Sequence, residues 1–388
     1  MSSVGIIAEF NPLHLGHQYL INEAKKLGTV VCVISGNFVQ RGDTAIAEKR
    51  IRALAALKAG ADLVIELPVL WSMSTAQNFC LGGISALKNA GCEKIMFGSE
   101  CGDINELHRT ADILSSAEFS ALVSKKSESG ITFAAARQAA AEELGAKKGI
   151  LEGANNNLGL EYILAARKLN YNPEFITVAR KGAAHDSKAE AEFVSASLLR
   201  EKLLQGDRDF CKKYMSEDIW ELFSKENLSD IARIETAILA ILRTKKQNML
   251  KCLPDLSEGL ENKFFCAIPL ATSLEELYNT IKVKRYTKAR IRRLVISAFI
   301  GADNSFFMKP LPYLRVLGFN KCGEAFMKEN LKLCEVPVIN RISDVEKLDN
   351  RAKSVFETEA RATDLYLLSL EKPQKCGLEY TARIIKTE

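Results

Sequence analysis

Apolar positions follow two rhythms along this chain of 388 residues. Up to about residue 205, short continuous apolar runs alternate with stretches spaced at the helical period of 3.6. Val4 to Ala8, Thr29 to Ser35, DLVIELP from Asp62, Lys94 to Phe97 and PEFITVAR from Pro173 read as strands rich in β-branched residues, and unbroken apolar runs mark strands covered on both faces. Helical patterns separate them: one after His17, one over 46 to 60 ending at Gly60, one from Ser72 to Ala90 despite Gly82 and Gly83, two within 103 to 147, one from 154 and one over 193 to 203. Strand alternating with helix predicts an α/β fold, a doubly wound parallel sheet occupying residues 1–205. Beyond 206 the strand patterns fade and helical ones such as Ile231 to Leu242 and Thr272 to Ile281 take over, so residues 206–388 are expected to form a mainly α-helical domain.

The first strand breaks at Asn11-Pro12, where proline fixes φ and removes a backbone donor. His14, Gly16 and His17 then fall in a strand-to-helix turn, expected to have free helix N–H groups behind it. Two imidazoles aimed at one point, a glycine that lets the backbone approach and the positive end of a helix dipole make an anion site. Donors so placed can stabilise charge developing on a phosphate under attack.

Parallel strands deliver their C-terminal ends to one edge, and ligands bind there. The second strand brings SGNFVQRGD, residues 35 to 43, with Asn37, Gln40, Arg41 and Asp43; the fourth brings Gly98, where a glycine after the strand admits a ligand ring or ribose. The three asparagines in ANNNLGLEY, residues 154 to 162, are more than a helix cap requires. The fifth strand ends at Arg180 and Lys181; after it, FVSASLLREKL places Ser195, Ser197 and Arg200 at a helix start, two hydroxyls and an arginine suited to one anion. No GxGxxG follows a strand and no GxxxxGK precedes Ser or Thr, so phosphate binding falls to histidines and hydroxyls.

Charge matters mainly in the second half. The formal net charge is only +5, but KVKRYTKARIRR, residues 282 to 293, carries Lys282, Lys284, Arg285, Lys288, Arg290, Arg292 and Arg293 around Tyr286 with no acidic residue, then meets the apolar LVISAFI. Read alone, seven cations without a counter-charge favour a phosphate-backbone surface for RNA, with Tyr286 to stack on an unpaired base, over a solvated basic helix. PYLRVLGF at 312 to 319 and PVINRIS at 337 to 343 are explained by packing. Ten scattered cysteines with no CxxC pair read as reduced, mostly buried residues. No run is apolar enough to span a bilayer and no signal segment opens the chain, so a cytoplasmic location and no membrane partner are expected.

The HxGH turn and the SxSxxR pattern resemble the two phosphate-binding motifs of the HxGH nucleotidyltransferase superfamily. More specifically EFNPLHLGH, SGNFVQRGD, GADLVIELP, FGSE, NNxLGxEY, RKGAAHD and KRYTKARI, in that order across most of the chain, resemble the tRNA(Met) cytidine acetate ligases. Leu15 stands where many members have asparagine. The resemblance implies activation of acetate with ATP to acetyl-adenylate and pyrophosphate, then acetyl transfer to the wobble cytidine of elongator tRNA(Met), giving N4-acetylcytidine. It implies ATP contacts from Ile7, Ala8, Glu9, Phe10, Asn11, Pro12, His14, Gly16, His17 and Leu20, with Gly98, Asn156 or Asn157, Arg180 and Lys181, and from Ser195, Ser197 and Arg200 for the departing pyrophosphate. His14 and His17 are the expected catalytic pair; Mg2+ is expected with ATP, and Lys284, Arg285, Lys288, Arg290, Arg292 and Arg293 are the expected tRNA contacts. Asp43 or a water would accept the cytidine proton. A small-molecule nucleotidyltransferase making a dinucleotide-type cofactor would use the same N-terminal motifs but leaves the basic second half unexplained.

Overall fold

A computed structural model describes residues 2–128, 131–179, 194–256, 259–283 and 286–388. Arg180, Lys181, the rest of the RKGAAHD segment, Lys284 and Arg285 lie outside the described residues.

Five parallel strands form the centre of the sheet: β1 (Ser3–Ala8), β2 (Thr29–Ser35), β5 (Leu63–Leu67), β6 (Lys94–Ser99) and β7 (Glu174–Ala179), in the spatial order β5-β2-β1-β6-β7. These are the five expected runs. Alternate side chains of each strand enter opposite cores, as the two-residue period demands. Ile7, Val31, Val33, Ile65, Ile95 and Phe97 meet the helices Ala76–Ala90 and Ala154–Lys168, whereas Val4, Ile6, Val30, Cys32, Ile34, Val64 and Met96 meet α1 (Leu15–Lys25), α2 (Lys49–Lys58) and the helix Ala196–Leu204. Gly82 and Gly83 fit this scheme: a Cβ on Gly82 would lie 2.6 Å from Trp71 and one on Gly83 2.6 Å from Ile7 of β1, so the helix keeps glycine where Trp71 and the sheet press against it.

Several elements differ from the sequence reading. Residues 38 to 44 form a small hairpin of β3 (Phe38–Val39) and β4 (Asp43–Thr44), two-residue strands too short to show a period. Residues 103 to 147 hold three helices, Ile104–Leu114, Ala117–Glu128 and Phe133–Glu143, with Ser115-Ser116 interrupting the first pattern and Thr132 capping the third helix. Gly98 lies inside β6, paired with Val178, and not after it.

The largest difference lies beyond residue 206. That region is mainly helical, as expected, with an apolar core built from Ile238, Leu242, Phe264, Leu277, Ile291 and Val295. It also returns three strands to the sheet: β8 (Leu314–Phe319), antiparallel to β5, with β9 (Val338–Ile339) and β10 (Ile385–Lys386) beside it. PYLRVLGF therefore contains a fully buried sheet strand, Leu314–Phe319, and residues 206–388 are interleaved with the first half.

Candidate active site

The C-terminal end of β1 organises the site. Phe10 takes the left-handed conformation (φ 46), the Asn11–Pro12 peptide is cis, and His14 is the extended N-cap of α1. The backbone N–H groups expected to be free are already used: Leu15 donates to the Tyr214 carbonyl at 2.9 Å, Gly16 to the His14 Nδ1 at 3.1 Å, and His17 to the His14 carbonyl at 2.8 Å. The local sequence could not show this, because Tyr214 arrives from the second half of the chain. An anion at this turn would therefore have to be held by side chains.

Those side chains converge. The His14 and His17 rings overlap with centroids 3.9 Å apart and planes 31° apart, and Phe10 presents its edge to His17 at 5.2 Å. Because His14 Nδ1 accepts from Gly16, the neutral ring carries its proton on Nε2, which makes that nitrogen a donor. Asn11 is buried; its Oδ1 accepts from Ile46 N at 2.7 Å, and among the described residues nothing accepts from its Nδ2. An unused buried donor costs about 1–3 kcal/mol, and an anion at this turn would remove that cost.

Arg200 joins the two motifs. Its Nη1 donates to the Asn11 carbonyl at 2.7 Å and its Nη2 to Ser197 Oγ at 3.1 Å. Burial lowers its pKa, opposed by the nearby Glu9 and Asp43 carboxylates. Ser195 caps its helix by accepting from Leu198 N at 3.3 Å. The HxGH turn and SxSxxR helix, far apart in sequence, thus share one edge.

Glu9 is tied to the neighbouring loop, its Oε1 accepting from Gln40 N at 2.9 Å. Further along that loop, Asp43 lies 3.9 Å from Arg292; burial raises its carboxyl above the usual range, against the pull of Arg292 and Arg200. On the other side, Glu100 of the FGSE stretch accepts from Asn155 N, Asn156 N and Asn155 Nδ2 at 2.7–3.0 Å. Burial would raise its pKa, but these hydrogen bonds prevail and hold it below the ordinary value. Asn156 accepts from Glu100 N and Cys101 N and donates to the Ile150 carbonyl, so its amide fixes the turn after β6. Asn157 donates to the carbonyls of Leu151 and Gly153 and faces a separate cavity of about 240 Å3, lined also by Gln77, Arg137 and Glu161. Glu100 was missed in the sequence because an acid after a strand has no distinctive spacing.

The basic helix, Lys288–Ile300, is not the uncompensated run that its sequence suggests. Lys288 pairs with Glu275 at 2.7 Å, Arg290 with Asp255 at 3.3 Å, Arg293 with Asp255 at 3.1 Å and Arg292 with Asp43 at 3.9 Å. The counter-charges come from distant segments, which corrects the repulsion argument. The Arg290 guanidinium covers the Tyr286 ring at 4.9 Å from its centroid, occupying a face expected to stack on a base. The helix nonetheless sits beside the site: a Cβ on Gly42 (φ 71) would lie 2.5 Å from Arg293 N, and Arg293 Nη1 donates to the Gln40 carbonyl at 3.2 Å.

A parallel sheet with a histidine turn after its first strand, and an SxSxxR helix hydrogen-bonded to that turn, defines the class of HxGH nucleotidyltransferases. The family model described as HIGH Nucleotidyl Transferase matches residues 1–379. The tRNA(Met) cytidine acetate ligase of Thermoanaerobacter sp. (strain X514) is 37% identical over 405 residues, covering 100% of both chains, and that of Acetivibrio thermocellus is 32% identical, covering 99% of this chain and all of the other. A crystal structure of Thermotoga maritima TmcAL bound with alpha-thio ATP superposes with a TM-score of 0.90 at 28% identity, covering 100% of this chain and 99% of that one. The chain belongs to the tRNA(Met) cytidine acetate ligase family.

Proposed function

We propose that this chain activates acetate with ATP and transfers the acetyl group to the wobble cytidine of elongator tRNA(Met), forming N4-acetylcytidine. The observation that carries the reading is Arg200 fastened to the Asn11 carbonyl beside the stacked His14 and His17 rings, a donor cluster suited to a polyphosphate and found in a chain whose full-length relatives bear the ligase name.

An acetate oxygen attacks the α-phosphorus, the bond to the bridging oxygen of pyrophosphate breaks in line, and acetyl-adenylate forms. His14 Nε2–H, His17 and the unused Asn11 Nδ2–H stabilise the α-phosphate oxygens; Arg200, Ser195 and Ser197 take the charge gathering on pyrophosphate. The strand edge at Gly98, with Asn156 shaping the adjacent turn, receives the nucleoside, and Arg180 and Lys181 complete the phosphate contacts. Among the described residues no three His, Cys, Asp or Glu side chains gather into a metal site. Mg2+ accompanying ATP would be held by the nucleotide's phosphates and water and would neutralise phosphate charge.

In the second step the cytidine N4 attacks the acetyl carbonyl carbon, AMP leaves, and the N4 proton passes to a base. Asp43 fits that role: it lies on the loop shared by Glu9 and the basic helix, with its carboxyl raised toward a working base. The cytidine must be unstacked to be reached, as in an anticodon loop. Lys288, Arg290, Arg292 and Arg293, with Lys284 and Arg285, contact its backbone, exchanging internal carboxylate partners for phosphates. No helix among the described residues is long and apolar enough to cross a membrane, and we place the reaction in the cytoplasm.

The test is mass spectrometry of tRNA incubated with labelled acetate and ATP. Label on a cytidine exocyclic amine is expected, and Asp43→Asn should retain adenylate formation while transfer slows by at least about tenfold. Label in a phosphorylated small molecule, with none in cytidine, would overturn the reading.

A further inference from the structure

The side chain that holds the β1 exit in place is Arg52, which no part of the reaction described above uses. It lies on α2 with no exposed surface. Its guanidinium forks into three segments: Nε donates to the Ala47 carbonyl at 3.0 Å, Nη1 to the Glu9 carbonyl at 2.7 Å, and Nη2 to the Gly36 carbonyl. Glu9 is the residue after β1, Gly36 the residue after β2, and Ala47 the lead into α2. One planar cation thus joins the two strand exits that frame the candidate site.

The charge itself calls for explanation. One turn earlier on the same helix face, Lys49 is also fully buried, but it is surrounded by the carboxylates of Glu66, Glu359 and Glu379. Arg52 has no carboxylate within 4.0 Å among the described residues; its acceptors are carbonyls. Burial accordingly lowers its pKa. A buried cation without a carboxylate partner is costly to desolvate, and a neutral donor could serve one of these carbonyls without that penalty, though not all three at once. The chain keeps the cation directly behind a turn that faces negative charge.

A second fastening shows what is being held. Ile46 N donates to Asn11 Oδ1 at 2.7 Å, and Arg200 reaches the Asn11 carbonyl. Glu9 and Asn11 are therefore gripped from the α2 side by Arg52 and Ile46 and from the other side by Arg200, with His14 three residues further on. Lys49 N, donating to Asn37 Oδ1 at 2.8 Å, fixes the α2 side to the β2 exit.

We propose that Arg52 is a positioning residue for adenylate formation, fixing the Glu9 carbonyl so that His14, His17 and Asn11 keep their aim at the α-phosphate. The inference rests on the acetate-activation reading above. It is tested with Arg52→Lys, which keeps the charge but cannot span three carbonyls, and with Arg52→Gln, followed by thermal unfolding and by acetate-dependent exchange of labelled pyrophosphate into ATP.

Misplacing a reacting group by about 1 Å costs on the order of 100-fold. A loss of that size in kcat is expected for both variants, with KM for ATP within about threefold, in protein that still unfolds cooperatively; the loss should persist in trimethylamine N-oxide, which favours the folded state. Exchange within about threefold of wild type, a defect confined to KM, recovery by the osmolyte in step with the folded fraction, or failure of both variants to fold would each overturn it. Wild-type protein run alongside separates the two claims: without acetate-dependent exchange there, the activation reading itself fails.

Discussion

Salt dependence of tRNA binding tests the basic helix in a way that its internal ion pairs make specific. Lys288 and Arg292 are the more open of its four described cations, with side chains 40% and 34% exposed, against 24% for Arg290 and 14% for Arg293. Arg293 spans the Gln40 carbonyl and Asp255, so removing it damages the hairpin loop as well as the surface. The clean perturbation is therefore the pair Lys288→Gln and Arg292→Gln. Each phosphate contact contributes about 0.7 to the slope of log K against log salt for a single strand and about 0.9 for a duplex, so the double variant should flatten that slope by roughly 1.4 to 1.8. Fluorescence anisotropy of labelled tRNA from low to moderate salt reads it, with ATP affinity as the control for an intact catalytic site. Asp255→Asn should act in reverse, removing the carboxylate that neutralises Arg290 and Arg293 and so steepening the slope, while Arg290 keeps its hydrogen bonds to the residue 255 carbonyl. A double variant with the wild-type slope would refute the assignment of this helix to tRNA.

Two further outcomes follow from individual contacts. Arg200→Ala should lower acetate-dependent exchange on the order of 100-fold and raise KM for ATP, with Arg200→Lys recovering part; steady-state kinetics showing no change would detach the SxSxxR helix from the phosphates. Burial raises the Glu359 carboxyl to about 7, against the opposing pull of Lys49, so between the unfolded value near 4.3 and about 7 the folded protein holds a proton that the unfolded chain has released. Its contribution is complete below that window and disappears as pH rises through 7. Glu359→Gln should therefore gain on wild type as pH rises from about 4.5 to 8, measured by urea unfolding; a gap independent of pH would contradict this.

What the sequence disclosed depends on how local each cause is. The five central strands were legible because strands covered on both faces are written as unbroken apolar runs, and the placement of His14, His17 and Arg200 at one sheet edge because strand-end and helix-start motifs carry their own context. The β3–β4 hairpin was not, since two residues show no period. PYLRVLGF escaped as a strand because its partner β5 lies far upstream and no local signal marks such a pairing. The same distance hid the charge balance of the basic helix, whose partners Asp43, Asp255 and Glu275 arrive from three other segments, and hid Tyr214, which occupies the Leu15 N–H. Arg52 in the sequence is one more arginine among helix residues; only folding reveals that its acceptors are the ends of two strands.

The central claim is that the histidine turn makes acetyl-adenylate. Exchange of labelled pyrophosphate into ATP, with and without acetate, compared between wild type and His17→Ala, tests it directly. The account predicts exchange that requires acetate and that His17→Ala lowers about 10²–10³-fold, the worth of a donor aimed at transition-state charge, with the unfolding midpoint little changed because His17 is only half-buried. Exchange that proceeds without acetate, or that survives in folded His17→Ala within a few-fold of wild type, would contradict it.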